Sequence, residues 1–214
     1  KENYTCKADY ILPFIGKWFV ANGGADKELS HSWGMLPQRY AYDFLIIDDE
    51  GGSAVIDANS AENYHCYGKD VLAPADGVVV RVSSRHKDSR VNGAKIYCDT
   101  WDINGNFITI KHTACEYSHI CHLAPDSIAV AKGDTVKQGQ LIAKCGNTGN
   151  TSQPHIHYQL QSGKSAYSSA GLPIAFVNVK AHPRADYGKI DNRTPQGKRS
   201  EERRVGKECR SRWS

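Results

Sequence analysis

The sequence of 214 residues lacks three features that mark common protein classes. No apolar run approaches the roughly 20 residues that cross a bilayer, so we expect no membrane span in this chain. No Cys-x-x-Cys pair occurs, which disfavours a zinc ribbon. No segment of ten or more residues shows the apolar spacing of an amphipathic helix. Hydrophobic residues nevertheless make up 40% of the chain, which is enough for one core of ordinary size.

The two ends of the chain differ from its middle. No long apolar run follows a basic patch near the N-terminus, so no signal peptide is visible, and residues 1–25 form a leading segment expected to pack on the main body. Residues 199–214, RSEERRVGKECRSRWS, are charged and aperiodic and resemble translated sequencing-adapter sequence rather than native protein. Without this segment the formal net charge falls from +4 to +1, so we expect no nucleic-acid partner.

Six cysteines remain outside that terminal segment, and an even number permits disulfides in an oxidising compartment. Buried free thiols are equally compatible with the sequence. The six are Cys6, Cys66, Cys98, Cys115, Cys121 and Cys145.

Short runs rich in β-branched and aromatic residues alternate with turn signals such as NGG, APADG and GNTGNTSQP. The runs are YAYDFLII, GVVVRV, NFITIKH, SIAVA, QLIAKCG, HIHYQLQ and AFVNV. Strands of this length at this spacing predict an all-β fold. We place one domain at residues 26–180, with long loops at 50–70 and 84–104, followed by a polar tail at residues 181–198.

The stretch SQPHIHYQLQSG contains two histidines, His155 and His157, separated by one residue within a strand-like run. Side chains at i and i+2 of a strand point to the same face, so both imidazoles can face one site while Ile156 faces the opposite layer. Pro154 stands just before the run, where its missing N–H costs least. Taken alone, the pattern fits either a metal site or two satisfied histidines.

Further candidate ligands lie upstream. His31 precedes a strand-like run that contains Asp43, and an acid among apolar neighbours is costly to bury without a cation or a donor. In EYSHICHL, His119 and His122 would face opposite ways in a strand, so at most one joins the cluster. Two imidazoles, one carboxylate and a water suit catalytic zinc, which lowers the pKa of its water to about 7. The sequence therefore contains the parts for metal-assisted amide hydrolysis.

Five motifs in order make the chain resemble a known family. They are SHSW…QRYAYDF, DVLAPADGVV, GNFITIKH…EYSHICHL, KGDTVKQGQLIAKCGNTGNTSQPHIHYQLQ and GLPIAF. Together they resemble the lysostaphin-type (LytM-like) zinc metalloendopeptidases, which are bacterial peptidoglycan hydrolases. The resemblance implies an antiparallel β-sheet core, like a duplicated hybrid motif, with long loops that form a groove. It also implies one Zn²⁺ and hydrolysis of peptide bonds in peptidoglycan stems or cross-bridges.

Position by position, the resemblance implies metal ligands at His31, Asp43 and His157 and catalytic roles for His122 and His155. In this chain His31 and Asp43 are twelve residues apart, whereas the family's commonest pattern places them closer together. The implied partners are peptidoglycan peptides, and the presumed substrate implies an extracytoplasmic location. We expect a monomer.

We also predict roles for three polar residues near these positions in the sequence. His119 lies where the family usually has an apolar or aromatic residue, and we expect a polar residue at the rim of the site. His112 ends the run ITIKH, and we expect it to be packed or to support a ligand indirectly. Gln159 shares the face of His155 and His157 in the predicted strand and could hydrogen-bond to a ligand histidine.

Two other interpretations stay open. A related but catalytically inactive module could bind the cell wall and regulate other hydrolases, although such modules typically lose a ligand and here every position is filled. A carrier-like β-domain is suggested by the hairpin GDTVKQGQLIA, but no modifiable lysine stands out at its tip, and the histidines would be unexplained.

Overall fold

The computed structural model describes residues 4–27, 29–30, 32–55, 58–91, 103–184 and 206–211. The strands are Lys17–Asn22 (β1), Tyr42–Leu45 (β2), Asp70–Leu72 (β3), Gly77–Ser83 (β4), Phe107–Lys111 (β5), Tyr117–Cys121 (β6), Thr135–Val136 (β7), Leu141–Lys144 (β8), Ile156–Gln161 (β9), Gly171–Leu172 (β10), Val179–Arg184 (β11) and Gly206–Ser211 (β12). Two short 3-10 helices span Leu36–Gln38 and Ala61–Asn63. Within the described ranges, no helix has both the length and the apolarity to cross a membrane.

Ten strands form one sheet in the order β11-β12-β1-β2-β9-β6-β5-β4-β7, with β10 added beside β9. β3 and β8 form a separate two-stranded sheet. Every strand pair is antiparallel. The prediction of an all-β fold with an antiparallel core is therefore confirmed.

The central strands β2, β9, β6 and β5 divide their side chains between two faces. One face packs into the main core, where Phe44, Ile120, Ile156 and Tyr158 have almost no solvent exposure. Burying a side chain of this size is worth about 1.5–3 kcal/mol. Because strand side chains alternate, the intervening residues point to the other face, and that face carries the predicted ligands of β2 and β9.

The strand predictions were wrong in several places. The run AFVNV at residues 175–179 contributes only an isolated bridge between Phe176 and Tyr10 and the first residue of β11. The run SIAVA at residues 127–131 forms no regular strand; it is extended chain fixed by single bonds such as Ala129 N–H to the Ile142 carbonyl. The segment Lys17–Asn22 is a full strand of the sheet, although the sequence indicated only apolar packing there. Five of its six residues are buried, and Trp18, Phe19, Val20 and Ala21 belong to the main core.

The outermost strands lie at one edge of the large sheet. β11 pairs with β12, and β12 pairs with β1. Residues 181–184 of the predicted polar tail thus belong to a strand, and residues 206–211 add to the sheet through their backbone. An open sheet edge accepts an extended segment through main-chain bonds alone, so this pairing is compatible with the prediction that residues 199–214 are foreign to the protein.

A buried carboxylate fastens the first described residues to the sheet. Glu116 has no solvent exposure and accepts hydrogen bonds from the Tyr4 hydroxyl at 2.5 Å, the Lys7 backbone N–H at 2.7 Å and the Tyr10 hydroxyl at 3.0 Å. A buried charge is tolerated only when donors surround it in this way. The turn before β6 therefore anchors residues 4–10.

Replacing Glu116 should show how much its hydrogen bonds contribute to the stability of the fold. We expect Glu116→Leu to lower the free energy of unfolding by about 2–4 kcal/mol, because the buried Tyr10 hydroxyl and the Lys7 N–H would lose their acceptor. Urea denaturation followed by circular dichroism measures the change. Glu50→Leu, at an exposed acid, is the matched control and should shift stability by less than about 0.5 kcal/mol; an equal effect of both variants would contradict the anchoring role.

Candidate metal centre

Two neighbouring strands bring an acid and a histidine together. Asp43 of β2 lies directly opposite His157 of β9 in the antiparallel register. Directly opposed residues share one face of the sheet, and both side chains are buried, with 3% and 7% exposure. His157 Nδ1 lies 2.8 Å from Asp43 Oδ1. The alternation that sends Phe44 and Ile156 into the core thus pairs these two polar residues.

His155 lies one residue before β9 and faces the same carboxylate. Its Nδ1 lies 2.8 Å from the Gln153 carbonyl and 3.2 Å from the Thr151 hydroxyl. Its Nε2 lies 3.6 Å from Asp43 Oδ1. Because a carbonyl only accepts hydrogen bonds, Nδ1 carries the proton in the neutral ring, and the Nε2 lone pair is directed towards Asp43.

His122 follows β6 and reaches the cluster through an unusual backbone turn. Its φ is 61°, a left-handed conformation that a side chain with a Cβ rarely adopts and that tends to occur at functional sites. Its Nδ1 lies 2.7 Å from the Thr148 carbonyl, so Nε2 is again the lone-pair nitrogen of the neutral ring. The ring centroid lies 4.6 Å from that of His155 and 5.8 Å from that of His157.

The structure therefore brings together four of the five predicted site residues, namely Asp43, His122, His155 and His157. The fifth, His31, lies outside the described residues. The expectation that only one of His119 and His122 would face the cluster assumed a continuous strand. β6 ends at Cys121, and the left-handed residue that follows turns the His122 imidazole inward.

A chain of amides extends from His157 along β9. His157 Nε2 lies 3.0 Å from Gln159 Oε1, Gln159 Nε2 donates to Gln161 Oε1 at 2.6 Å, and Gln161 Nε2 donates to the Gly163 carbonyl at 2.7 Å. Since that carbonyl can only accept, it sets the direction of both amides. The carbonyl end of Gln159 consequently faces His157 and holds a proton on Nε2, which leaves Nδ1 to face Asp43.

The environments of two histidines shift their pKa in opposite directions. Burial and the neighbouring His155 and His157 lower the pKa of His122 well below its usual value. For His157, burial also disfavours the charged form, but the hydrogen bond and negative charge of Asp43 outweigh burial and raise its pKa.

The donor set fits a metal cation. The Nδ1 atom of His157 and the Nε2 atom of His155 both approach Asp43 Oδ1, while protein carbonyls hold the opposite nitrogen of each ring. Acceptor atoms that converge in a buried place need a cation or a proton between them. Imidazole nitrogen and carboxylate oxygen are ligands that zinc prefers.

The ligand atoms of Asp43 and His157 are closer together than two ligand atoms on one zinc ion would be. Among the described residues, which omit His31, no group of three or more His, Cys, Asp and Glu side chains is arranged around a metal position. Two ligand atoms on one tetrahedral zinc are about 3.3 Å apart, whereas the Asp43 and His157 atoms are separated by 2.8 Å. A small outward movement of either side chain would accommodate the ion.

Two asparagines that the sequence did not single out support this site. Asn22 Nδ2 donates to Asp43 Oδ2 at 3.3 Å, which leaves Oδ1 to the histidines. The Asn104 carbonyl accepts the backbone N–H of His122 at 3.1 Å. Asn22 closes β1 opposite Asp43, so it could have been found only if that strand had been recognised.

His119 and His112 lie elsewhere. The prediction that His119 is a rim residue is wrong, because it has no exposure and its Nδ1 lies 2.8 Å from the Thr109 hydroxyl. His112 is packed edge-on against Tyr10, and its Nε2 lies 2.7 Å from the Ser118 hydroxyl, which shares the core-facing side of β6. Neither contacts Asp43 in the hydrogen bonds of the described residues.

The comparisons with known proteins agree on one family. Residues 61–169, just over half of the chain, match the model of peptidase family M23. Over 73 residues the chain is 38% identical to the peptidoglycan DD-endopeptidase ShyB of Vibrio cholerae, a match that covers 33% of this chain and 17% of ShyB. Over 68 residues it is 37% identical to lysostaphin of Staphylococcus staphylolyticus, covering 32% of this chain and 12% of lysostaphin.

These matches span less than a fifth of each relative's own length. Among solved structures, the catalytic domain of lysostaphin from Staphylococcus simulans aligns with 79% of this chain and 90% of that chain, at 20% identity and a TM-score of 0.39.

Proposed function

Because the chain belongs to peptidase family M23, we propose that it is a zinc-dependent endopeptidase that hydrolyses peptide bonds in the stems or cross-bridges of bacterial peptidoglycan. The observation that carries the proposal is the convergence of His155 and His157 on the buried Asp43 carboxylate, with the His122 ring beside both histidines. The names of the relatives, peptidoglycan endopeptidases among them, support the substrate class. A cell-wall substrate also supports an extracytoplasmic location.

Asp43 and His157 would hold the metal, together with His31. Zinc supplies a Lewis acid that polarises a carbonyl and lowers the pKa of a bound water to about 7. Asn22 keeps Asp43 in place through Oδ2, and the amides of Gln159 and Gln161 keep the Nδ1 atom of His157 directed at the same position.

His155 and His122 are the proposed catalytic residues. Each ring has its Nδ1 proton engaged by a backbone carbonyl, of Gln153 and Thr148 respectively. The lone pair on Nε2 can therefore accept a proton from the attacking water and pass it to the leaving amine. Once protonated, the same Nε2 can donate a hydrogen bond to the oxyanion that develops on the substrate carbonyl.

The proposal is tested by zinc analysis of the purified protein together with digestion of peptidoglycans of different cross-bridge types. We expect one zinc per chain and newly formed amino groups at a single type of peptide bond, identified by mass spectrometry of the released fragments. Full hydrolysis by a preparation free of metal would overturn the zinc requirement.

One observation favours a second function, a catalytically inactive module that binds the cell wall. When His157 carries a proton on both ring nitrogens, its Nδ1 can donate to Asp43 Oδ1 at 2.8 Å, so the pair can be satisfied in a protein that does not bind zinc. A correctly metallated sample that binds peptidoglycan but releases no fragments, in solution or in a zymogram, would favour this second function.

The amide chain beside His157 makes a separate prediction. We expect Gln159→Leu to weaken zinc binding about 10–100-fold, because the acceptor that fixes the ring's tautomer would be lost. Gln159→Glu keeps an acceptor at this position and should retain most of the affinity. Competition with a chelating dye measures the dissociation constant.

The control for this pair of variants is Gln140→Leu, at an exposed glutamine whose side chain accepts only the Lys137 backbone N–H in the described hydrogen bonds. Its zinc affinity should equal that of the unmodified protein. Unchanged affinity in Gln159→Leu would show that the amide chain has no positioning role.

A further inference from the structure

Two cysteines that the proposed chemistry does not use lie in the same part of the buried core. Cys66 and Cys145 have no solvent exposure and belong to the same core cluster, and burial together with the neighbouring Cys66 thiol raises the pKa of Cys145. They come from distant parts of the sequence, so only the fold brings them together. Both sulfurs are free in the structure.

Backbone hydrogen bonds hold the residues that follow Cys66 beside Cys145. The Gly68 N–H donates to the Cys145 carbonyl at 2.8 Å, and the Cys145 N–H donates to the Lys69 carbonyl at 2.8 Å. Immediately beyond these bonds, β3 and β8 pair with Asp70 opposite Lys144. A disulfide requires two Cα atoms held close by the backbone, and these main-chain bonds keep the two segments adjacent.

The pair also contacts the segment that leads to the candidate site. Cys66 Sγ lies 3.1 Å from the carbonyl oxygen of Pro154, the residue immediately before His155. A bond between the two sulfurs would therefore join the turn at residues 64–67 to the end of β8, directly beneath the approach to β9.

We propose that Cys66 and Cys145 form a structural disulfide when the chain folds in an oxidising environment. Each thiol loses one proton and one electron, and a small disulfide such as oxidised glutathione accepts the two electrons and becomes two thiols. The exchange proceeds by attack of a thiolate on a disulfide sulfur. Because both cysteines are fully buried, the bond forms before the core closes and is then shielded from reductants.

Burial raises the pKa of Cys145 well above its usual value, so the folded reduced protein presents a poorly reactive thiol rather than a thiolate. The other cysteines whose side chains the structure describes have different surroundings. Cys6 lies against the Pro173 carbonyl, Cys121 lies near the Asn104 side chain, and Cys115 is exposed. These three serve as internal references.

Peptide mapping without reduction tests the proposal. The whole chain is refolded with reduced and oxidised glutathione, alkylated in denaturant and digested with trypsin. Cleavage after arginine and lysine gives peptides 40–69 and 145–164, each with a single cysteine. We expect these two peptides to be linked, and to separate after reduction, with Cys6, Cys115 and Cys121 recovered in alkylated form.

A second experiment compares the oxidised chain with the same chain after reduction in denaturant and refolding. Because both samples keep the two sulfur atoms, a difference in stability reports the disulfide bond rather than the packing of the side chains. We expect the melting temperature of the reduced form to be lower by about 5–15 °C. Cys121→Ser is the matched control and should keep the linked peptides, whereas Cys145→Ser should lose them.

Complete alkylation of both peptides after oxidative refolding, or a link from either one to a different cysteine, would overturn the pairing. Neither readout depends on metal or on hydrolysis, so a failure of the proposed peptidase function would leave this test unaffected.

Discussion

His157→Ala is expected to lower zinc affinity at least 1,000-fold and to abolish peptidoglycan hydrolysis. The substitution removes a nitrogen that lies 2.8 Å from Asp43 Oδ1 and leaves this carboxylate buried beside an empty space. With one of three protein ligands missing, a zinc ion loses most of its binding free energy. Elemental analysis after dialysis and dye competition measure the loss.

The matched control for His157→Ala is His112→Ala, which removes a histidine packed against Tyr10 on the core side of the sheet. This control should keep one zinc per chain and retain hydrolysis. Circular dichroism verifies that both variants are folded. Stoichiometric zinc in a folded His157→Ala protein would eliminate His157 as a ligand and remove the central contact of the proposed site.

Replacing His122 is expected to have a different effect, in which turnover is lost and zinc is retained. His122→Asn is the better substitution, because His122 has φ 61° and asparagine tolerates this left-handed conformation more readily than alanine does. We expect kcat to fall about 100- to 10,000-fold, the range for losing a group that transfers a proton, while zinc content stays at one per chain.

Steady-state kinetics on a peptide from peptidoglycan, with zinc analysis of the same samples, measures this effect. An unchanged KM would show that His122 acts in the chemical step rather than in binding substrate. Loss of zinc together with turnover would make His122 a ligand, and retained turnover would exclude it from catalysis.

Alternation along two strands was enough to predict part of the site. The i and i+2 spacing of His155 and His157 predicted a shared face, and the structure places both beside Asp43. The same periodicity placed Gln159 next to His157. These predictions succeeded because side-chain direction in a paired strand follows from residue number alone.

Other features depend on contacts that the local sequence does not encode. Nothing in EYSHICHL indicates that the strand ends at Cys121 and that His122 turns inward, because the turn is imposed by the Thr148 carbonyl and by Asn104. The burial of His119 results from Phe107, whose ring lies 4.9 Å away, and from Thr109 on the neighbouring strand.

Side chains along β9 alternate between the candidate site and the apolar core, so the site depends on which residues occupy the odd and the even positions. Every odd position from 155 to 161 belongs to the ligand and amide chain, and the even positions Ile156, Tyr158 and Leu160 have no exposure. Inserting or deleting one residue within this strand would exchange the two sets at once, sending imidazoles into the apolar core and aromatic bulk towards the metal position. Length changes in this lineage should therefore be excluded from the strand itself.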